Sequence, residues 1–534
     1  MTKRLGEVEG GPVERKEQAP QMVRVGQTRP AGLGGVGGAM DRRGFVRAMG
    51  LGAAALSLGS LEGCAVGSRR PPNVVFIMAD DLGYGEVGVY GQEKIRTPSI
   101  DRIAREGIRF TQHYSGSPVC APSRCVLLTG LHTGHAYIRD NDEMGERGDV
   151  WRDPDLEGQR PLLEGTYTLG TLFQDAGYVT GAIGKWGLGG PGSSGEPNRQ
   201  GFDHWYGYLC QRVAHNYYPT HLWRDAEKDI LEGNEYFYPH QRLPEDADPE
   251  DPAAYEPYSG GDYSMDLMAE EARAFIRDNS AEPFFLFLPF PVPHVALQVP
   301  EDSVAEYADA FPETPYLGER SYLPHPKPRA AYAAMVTRMD REIGSILDLL
   351  DELELAEDTL VLFTSDNGPT FNGGTDSEFF DSAAGLRGLK TQLYEGGIRV
   401  PLVARWPGRI QPGSVSDLPS AFWDFLPTFA ELTGQALPTP TDGVSILPTL
   451  GGRPGDQEDR DYLYWEFKGR QAVRLGNWKA YRRAADGEFE LYDLDGDRGE
   501  TSNVASEYSE VVSRISQIMM EARTESELFP LLRG

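Results

Sequence analysis

The feature that most restricts the fold of this chain is a set of unbroken apolar runs, each as long as a strand and each followed by polar residues. Residues 73–78 read NVVFIM and stop at Ala79-Asp80-Asp81, and residues 359–364 read TLVLFT and stop at Ser365-Asp366-Asn367. Weaker runs occupy 178–183 and 283–288. An unbroken run, unlike an alternating one, predicts a strand with both faces buried.

Helical patterns separate these runs, at 99–106, 168–176, 263–278 and 329–353. Such alternation predicts an α/β fold with a large mixed, mostly parallel sheet sandwiched by helices. Short strand patterns at 462–467, 472–481 and 488–493, then an amphipathic helix at 507–523, indicate a smaller C-terminal α+β subdomain. We predict three parts: an extension (1–70), a main domain (71–455) and this subdomain (456–534).

The N-terminal extension has the features of an export signal. Residues 1–39 are rich in glycine, proline and charge, which indicates disorder or an over-extended start before Met40. The pair Arg42-Arg43, the short apolar stretch 48–56 and Cys64 are typical of a twin-arginine signal with a lipoprotein-type cleavage site. We expect a periplasmic or cell-envelope protein with a possible lipid anchor at Cys64. An apolar N-terminal helix that stays attached is the alternative.

The charge of the chain limits its partners. Lysine and arginine total 51 and aspartate and glutamate total 81, a net charge of −30. This excess of acid argues against binding to nucleic acid, so an anionic substrate needs a local basic pocket. The four cysteines have no CxxC spacing and form no zinc pattern.

Polar residues that follow parallel strands meet at one edge of the sheet, where ligands of such folds bind. The residues predicted to meet there are Asp80, Asp81, Lys185, His294, Asp366 and Asn367. Ordinary turns also place polar residues after strands, although four such ends are harder to explain as turns. The carboxylates and the amide offer only oxygen ligands, which suit Ca²⁺, or Mg²⁺, rather than zinc.

Cys120 lies in the stretch VCAPSR, which we predict to be a loop before a helix that begins near Ser123. The N-terminus of a helix stabilises nearby anions, so an oxyanion is favoured there. A thiolate is a poor ligand for a hard cation, whereas an oxygen nucleophile suits one.

The motif CAPSR (120–124), continued by LLTG (127–130), resembles the signature of the formylglycine-dependent, arylsulfatase-like sulfatases. The resemblance runs from residue 73 to the end of the chain. Its further motifs are DD at 80–81, GKW at 184–186, PH at 293–294, SDNG at 365–368, GLK at 388–390 and EGGIRVP at 395–401.

The resemblance implies that a maturation enzyme converts Cys120 to formylglycine, whose aldehyde hydrates to a geminal diol. One hydroxyl, activated by Ca²⁺, attacks the sulfur of a sulfate ester, and the second hydroxyl then expels sulfate. The implied metal ligands are Asp80, Asp81, Cys120, Asp366 and Asn367. The resemblance also implies that Arg124 orients the formylglycine and the carboxylates, and that Lys185 and Lys390 contact the sulfate oxygens. His294 would contact the sulfate or the leaving oxygen.

The chain departs from the family pattern at one position. Many relatives read GKWHLG, with the histidine on the formylglycine hydroxyls, whereas this sequence has Gly187 there. We hypothesise that His215 enters the site as general acid or base. His132 and His135 are the other candidates, and a structural histidine is the alternative for each.

The combination of GKWGLG (184–189) with QRVAHNYYP (211–219) resembles carbohydrate sulfatases. This resemblance implies a sulfated carbohydrate or an aryl sulfate as substrate, and the sugar that we expect is galactose or N-acetylgalactosamine 4-sulfate. Five aromatic residues either stack on sugar rings or pack in the core, the commoner role: Trp205, Tyr206, Tyr217, Tyr218 and Trp223. The alternatives are a phosphodiesterase or phosphonate hydrolase of the same superfamily, a non-catalytic glycan-binding lipoprotein, and a sulfate transferase.

Overall fold

The computed structural model describes residues 70–142 and 157–532. The predicted export signal and Cys64 lie outside the described residues. Within the described ranges, no helix combines the length and the apolar character needed to cross a bilayer.

The described residues form a ten-stranded sheet, a two-stranded sheet and a four-stranded sheet. The strands are β1 (Asn73–Ala79), β2 (Ile108–Phe110), β3 (His113–Tyr114), β4 (Val179–Lys185), β5 (His204–Tyr208), β6 (His221–Arg224), β7 (Glu227–Ile230), β8 (Phe284–Pro289), β9 (Thr359–Ser365), β10 (Leu402–Arg405), β11 (Ser414–Ser416), β12 (Ser420–Ala421), β13 (Leu463–Phe467), β14 (Arg470–Leu475), β15 (Trp478–Arg482) and β16 (Phe489–Asp493).

Helices connect these strands. They are α1 (Pro98–Arg105), α2 (Cys120–Thr129), α3 (Leu169–Asp175), α4 (Ser264–Asp278), α5 (Glu301–Ala305), α6 (Pro328–Glu352), α7 (Glu395–Ile398), α8 (Phe425–Thr433), α9 (Leu447–Leu450) and α10 (Ser509–Glu521).

The large sheet has the order β11-β2-β10-β9-β1-β8-β4-β5-β6-β7. Its five central strands, β9 to β5, are parallel, whereas β10, β6 and β7 pair antiparallel with their neighbours. The predicted large, mixed, mostly parallel sheet is therefore confirmed.

Strand β1 shows why its sequence is apolar throughout. Val74, Phe76 and Met78 belong to one hydrophobic core, which also holds residues of α2, α3 and α8. Val75 and Ile77 belong to a second core with residues of α4 and α6. Because helices cover both faces of the sheet, every position of a central strand is buried, and the alternation of a half-exposed strand disappears.

The four-stranded sheet is an antiparallel meander, β13-β14-β15-β16, covered by α10. The prediction of one strand at 472–481 is wrong, because β14 and β15 are separated by a turn at Gly476, whose φ is +58°. The apolar pattern continues across the two strands, so the pattern alone did not reveal the turn. The domain division at residue 455 stays a prediction.

Candidate active site

The carboxyl ends of β1 and β9 bring three aspartates together. The two strands are parallel and in register, with Ala79 opposite Ser365, so the residues that follow them are neighbours. The amide of Asp81 donates to Asp366 Oδ1 at 3.1 Å. Asp81 itself has φ +65°, a conformation that is uncommon for a residue other than glycine and is concentrated at functional sites.

Cys120 faces these aspartates from the start of α2. The helix begins at Cys120 itself, so the predicted loop before a start near Ser123 is wrong. Pro122 does not delay the helix, since a proline in the first turn removes only an amide that has no partner within the helix. The Cys120 thiol is 1% exposed and donates to Asp80 Oδ1 at 3.2 Å.

Arg124 lies one turn after Cys120 and fixes the carboxylates. Its Nη2 donates to Asp80 Oδ2 at 3.0 Å and to Asp366 Oδ2 at 2.8 Å, and its Nη1 donates to the carbonyl of Lys185. The side chain is 1% exposed. Arg124 thus contacts the ends of β1, β9 and β4, and its orienting role stays a prediction.

Two lysines approach the same group. Lys185 Nζ lies 2.5 Å from Asp80 Oδ2 and 4.0 Å from Cys120 Sγ. Lys390 Nζ lies 2.7 Å from Asp81 Oδ1 and 3.6 Å from Cys120 Sγ. We call the three aspartates with Arg124, Lys185 and Lys390 the site cluster. Its three formal negative charges balance its three positive ones.

The site cluster shifts the titration of its members. Burial raises the pKa of Asp80, but Lys185, Arg124 and Lys390 outweigh it and bring the pKa to about 2. Burial, with the charge of Asp80, raises the pKa of Asp366 to about 6. Burial and the nearby carboxylates also raise the pKa of the Cys120 thiol well above its ordinary value. The unmodified cysteine is therefore a protonated, unreactive thiol.

The donor set at this edge fits a hard cation. Asp80, Asp81, Cys120 and His294 each offer a ligand atom, and these atoms lie within 4.8 Å of one another. Asn367 is buried, and its Oδ1 has no hydrogen-bond partner among the described residues. A buried carbonyl oxygen without a donor, beside carboxylates, is the ligand type that Ca²⁺ or Mg²⁺ takes.

Histidines line one side of the site cluster. His294 Nε2 lies 3.6 Å from Asp81 Oδ2, while its Nδ1 contacts the carbonyl of Val295. His215 stacks on His294 with ring centroids 4.7 Å apart, so the structure brings this predicted residue to the site. Burial and the nearby cations hold the pKa of both rings well below the ordinary value, so both are neutral.

A family model described as sulfatase matches residues 72–435, well over half of the chain. The chain belongs to the sulfatase family. It is accordingly a sulfuric ester hydrolase, and sulfatases typically use Ca²⁺ and formylglycine. A second model, described as the C-terminal part of N-sulphoglucosamine sulphohydrolase, matches residues 389–525.

Individual sulfatases are similar to this chain over most of its length. It is 30% identical to N-acetylgalactosamine-6-sulfatase of Canis lupus familiaris, over 88% of this chain and 83% of the relative. It is 33% identical to steryl-sulfatase of Mus musculus, over 77% and 71%. The solved structure of Ps i-CgsB in complex with k-i-k-neocarrahexaose superposes with a TM-score of 0.68 at 25% identity, over 85% of this chain and 94% of that one.

One pair of candidates lies elsewhere in this sulfatase. His132 and His135 stack on each other and contact Asp442, with His135 Nδ1 2.9 Å from the carboxylate, so neither reaches Cys120. The hypothesis that they replace the missing histidine is wrong. The five aromatic residues are each at most 9% exposed, in line with the commoner packing role. Tyr217 lies beside the site, where its hydroxyl donates to the carbonyl of His294 at 2.7 Å, so the stacking hypothesis stays a prediction.

Two residues beside His215 could not be recognised from the sequence. His240 Nε2 lies 3.1 Å from His215 Nδ1, and the Tyr322 ring lies 5.1 Å from that of His215. Ser321 and Tyr322 both have positive φ, +69° and +66°. His240 and Tyr322 lie in loops with no recognisable motif, and only the tertiary structure brings them to the site.

Proposed function

We propose that this sulfatase removes sulfate from a sulfated sugar, with formylglycine derived from Cys120 as nucleophile and Ca²⁺ as cofactor. The carbohydrate substrate is supported by the similarity to an N-acetylgalactosamine-6-sulfatase and to a structure in complex with k-i-k-neocarrahexaose. The similarity to a steryl-sulfatase means that family membership alone does not select a sugar. The QRVAHNYYP stretch, which carries Gln211 and His215, adds support from the chain itself.

The observation that carries the proposal is the pair of ammonium groups beside Cys120. Lys185 at the end of β4 and Lys390 in the loop before α7 approach the thiol to 4.0 and 3.6 Å, and both are largely buried. Two fixed cations in a buried site stabilise the negative oxygens of a sulfate group in the transition state far more than solvated lysines would. Both lysines are paired with aspartates, so a cation held by the carboxylates would give the site cluster the net positive charge that an anionic substrate needs in a chain of net charge −30.

The aspartates, with Asn367 and residue 120, would hold the cation. A Ca²⁺ ion held there would supply the positive charge that polarises the nucleophile and neutralises the sulfate oxygens. The formyl group supplies, when hydrated, a hydroxyl in place of the unreactive thiol. Arg124 holds Asp80 and Asp366 in place by three hydrogen bonds of 2.8–3.1 Å. Without such a clamp, two buried carboxylates of like charge would separate.

His294 is the group best placed to move a proton. Its Nδ1 is directed at the carbonyl of Val295, which favours the tautomer with the proton on Nδ1. Nε2, on the side of the site cluster, is then free to accept a proton or to return it to a leaving oxygen. His215, packed flat on His294, restricts the orientation of that ring.

Mass spectrometry of the tryptic peptide 110–124, from protein made with and without a formylglycine-generating enzyme, tests the nucleophile. The expected result is conversion of Cys120 only with the enzyme. Cys125, buried in the same helix, lies in the next peptide and is the matched control, expected to keep its thiol. Unmodified Cys120 under competent maturation would contradict the mechanism and favour the glycan-binding lipoprotein.

Turnover of matched esters tests the reaction and the substrate. The converted protein is expected to hydrolyse galactose or N-acetylgalactosamine sulfates, compared as 4- and 6-sulfates, and an aryl sulfate. An aryl phosphate of the same leaving group is the control. Faster hydrolysis of the phosphate would replace the sulfatase proposal with the phosphodiesterase alternative.

We also propose export to the periplasm or cell envelope, with a lipid on Cys64, on the support of Arg42-Arg43 and the apolar stretch that follows. Replacing Arg42 and Arg43 by lysine is expected to retain the protein in the cytoplasm. Cell fractionation measures this, and unchanged export of the variant would contradict the proposal.

A further inference from the structure

Gly187, the position at which many sulfatases carry a histidine, is covered by Gln211. The amide of Gly187 donates to the carbonyl of Leu209 at 3.1 Å, which extends the pairing of β4 and β5 toward Gln211. A Cβ atom on Gly187 would lie 2.5 Å from Gln211 Cγ and 2.9 Å from Gln211 Nε2. The space in which a side chain at 187 would begin is therefore filled by the glutamine.

Gln211 brings an unsatisfied polar atom to this position. The residue is 6% exposed, and its Oε1 has no hydrogen-bond donor within the described part of the chain. Its backbone amide donates to Gln159 Oε1 at 3.4 Å, which holds the segment but leaves the side-chain oxygen unpaired. A buried acceptor without a donor is unfavourable, and a bound ligand with a hydroxyl group removes the penalty.

The surroundings of Gln211 belong to the active site. Gly187 follows Lys185 by two residues, and Lys185 contacts Asp80 and Cys120. Four residues after Gln211, His215 stacks on His294. The two chain segments that bring Gly187 and Gln211 together therefore each carry a residue of the active site.

We propose that Gln211 takes the place of the absent histidine, and that its Oε1 accepts a hydrogen bond from a hydroxyl group in the loaded site. This inference rests on the proposed function. The hydroxyl has two possible sources, the hydrated aldehyde at residue 120 and the sugar next to the sulfate ester. An amide oxygen accepts a hydrogen bond but carries no proton to give, so Gln211 positions a hydroxyl, while proton transfer stays with His294.

A double-mutant cycle tests the shared space without turnover. Gly187→His is expected to lower Tm through the clash with Gln211 and through its φ of +81°. In a Gln211→Ala background the same change is expected to lower Tm clearly less, because the atoms nearest to position 187 are gone. Equal effects in both backgrounds would overturn the proposed replacement.

Kinetics and binding test the hydrogen bond and separate the two sources. The variants are Gln211→Ala and Gln211→Met, the second of which keeps the volume but has no acceptor. The control is Gln200→Ala. Gln200 is also buried, and its Oε1 also has no partner among the described residues, but its Nε2 donates to the carbonyl of Ser194, outside the site. The assays are kcat/KM for a sugar sulfate and for an aryl sulfate without leaving-group hydroxyls, and Kd of the sugar sulfate for unconverted Cys120 protein by calorimetry.

For the sugar sulfate, a fall in kcat/KM and a rise in Kd of roughly 3- to 10-fold, with kcat/KM of the aryl sulfate unchanged, support a sugar hydroxyl as the donor. A similar loss of kcat/KM for both esters, with Kd unchanged, supports the hydroxyl at residue 120. Unchanged values in both folded variants, with an active wild type, overturn the inference alone. A wild type that is converted at Cys120 and hydrolyses neither ester overturns the proposed function and the inference with it.

Discussion

Two clusters of buried charge in this sulfatase have similar compositions and different chemistry. The site cluster joins Asp80, Asp81 and Asp366 to Arg124, Lys185 and Lys390. The second, which we call the interface cluster, consists of Glu395, Arg399, Lys479 and Glu500 and links α7 to the four-stranded sheet. Lys479 Nζ lies 2.9 Å from Glu395 Oε1 and 3.4 Å from Glu500 Oε1, and Arg399 Nη1 lies 3.2 Å from Glu395 Oε2.

The difference lies in what each cluster leaves unsatisfied. The carboxylate of Glu395 also accepts from the Tyr114 hydroxyl at 2.7 Å, and Glu500 accepts from the Glu395 amide at 2.7 Å. The site cluster instead surrounds a thiol and adjoins Asn367, whose Oδ1 has no donor among residues 70–142 and 157–532. Buried charges that satisfy one another are costly to break once formed, whereas buried charges around a polar group without a partner leave a position for a ligand. The predictions below test this contrast.

The largest expected effect is that of Cys120→Ala. Loss of the nucleophile is expected to lower turnover by roughly 10⁴-fold or more, as for nucleophiles of other covalent mechanisms. Tm is expected to change little, because the thiol makes no cation–carboxylate pair. Turnover of an aryl sulfate and thermal unfolding measure the two quantities, and substantial residual turnover would show that Cys120 is not the nucleophile.

Lys479→Met is expected to act on stability rather than on chemistry. It leaves Glu395 and Glu500 buried without their shared ammonium, so the free energy of unfolding is expected to fall by about 3–5 kcal/mol. The control is Lys468→Met, whose side chain is 59% exposed. Denaturant unfolding measures the change, and equal effects of the two variants would mean that the interface cluster adds little.

Calcium is expected to stabilise only through the site cluster. At a free Ca²⁺ concentration a hundred times Kd, the free energy of unfolding is expected to rise by about 2.7 kcal/mol relative to chelated protein. Asp366→Asn is expected to reduce this increment strongly, and Glu395→Gln to keep it. Thermal unfolding with and without a chelator measures this increment. If Asp366→Asn kept the full Ca²⁺-dependent stabilisation, the ion would bind elsewhere.

The smallest expected effect is a pH dependence from the interface cluster. Burial raises the pKa of Glu500 to about 7 from its ordinary value of 4.5, with Lys479 opposing and Glu395 adding to the rise. The folded protein therefore holds this proton more tightly than the unfolded chain does. The contribution of Glu500 to the free energy of unfolding is therefore complete below pH 4.5 and is lost as the pH rises to about 7.

In Glu500→Gln the side chain at position 500 does not titrate, so the free energy of unfolding is expected to fall less across this pH range. Denaturant unfolding between pH 4.5 and 8 compares the variant with the wild type. The same slope in both proteins would assign the dependence to another group.

Much of this architecture could be predicted from the sequence, because the governing patterns are local. The apolar runs before Asp80 and Asp366 follow from burial of both strand faces, and parallel strands place their ends together. The start of α2 at Cys120 and the turn at Gly476 were missed, since Pro122 is compatible with both a loop and a first helical turn, and the apolar pattern continues past the turn.

By itself, the sequence determined the fold class, the family and the residue types of the site, because periodicity and short motifs act over a few residues. Only the tertiary structure decided which groups meet. Lys390 contacts Asp81 across 309 positions of the chain, and Gln211 covers Gly187 because β5 pairs with β4. Such contacts depend on how the strands and loops pack, and no local pattern records them.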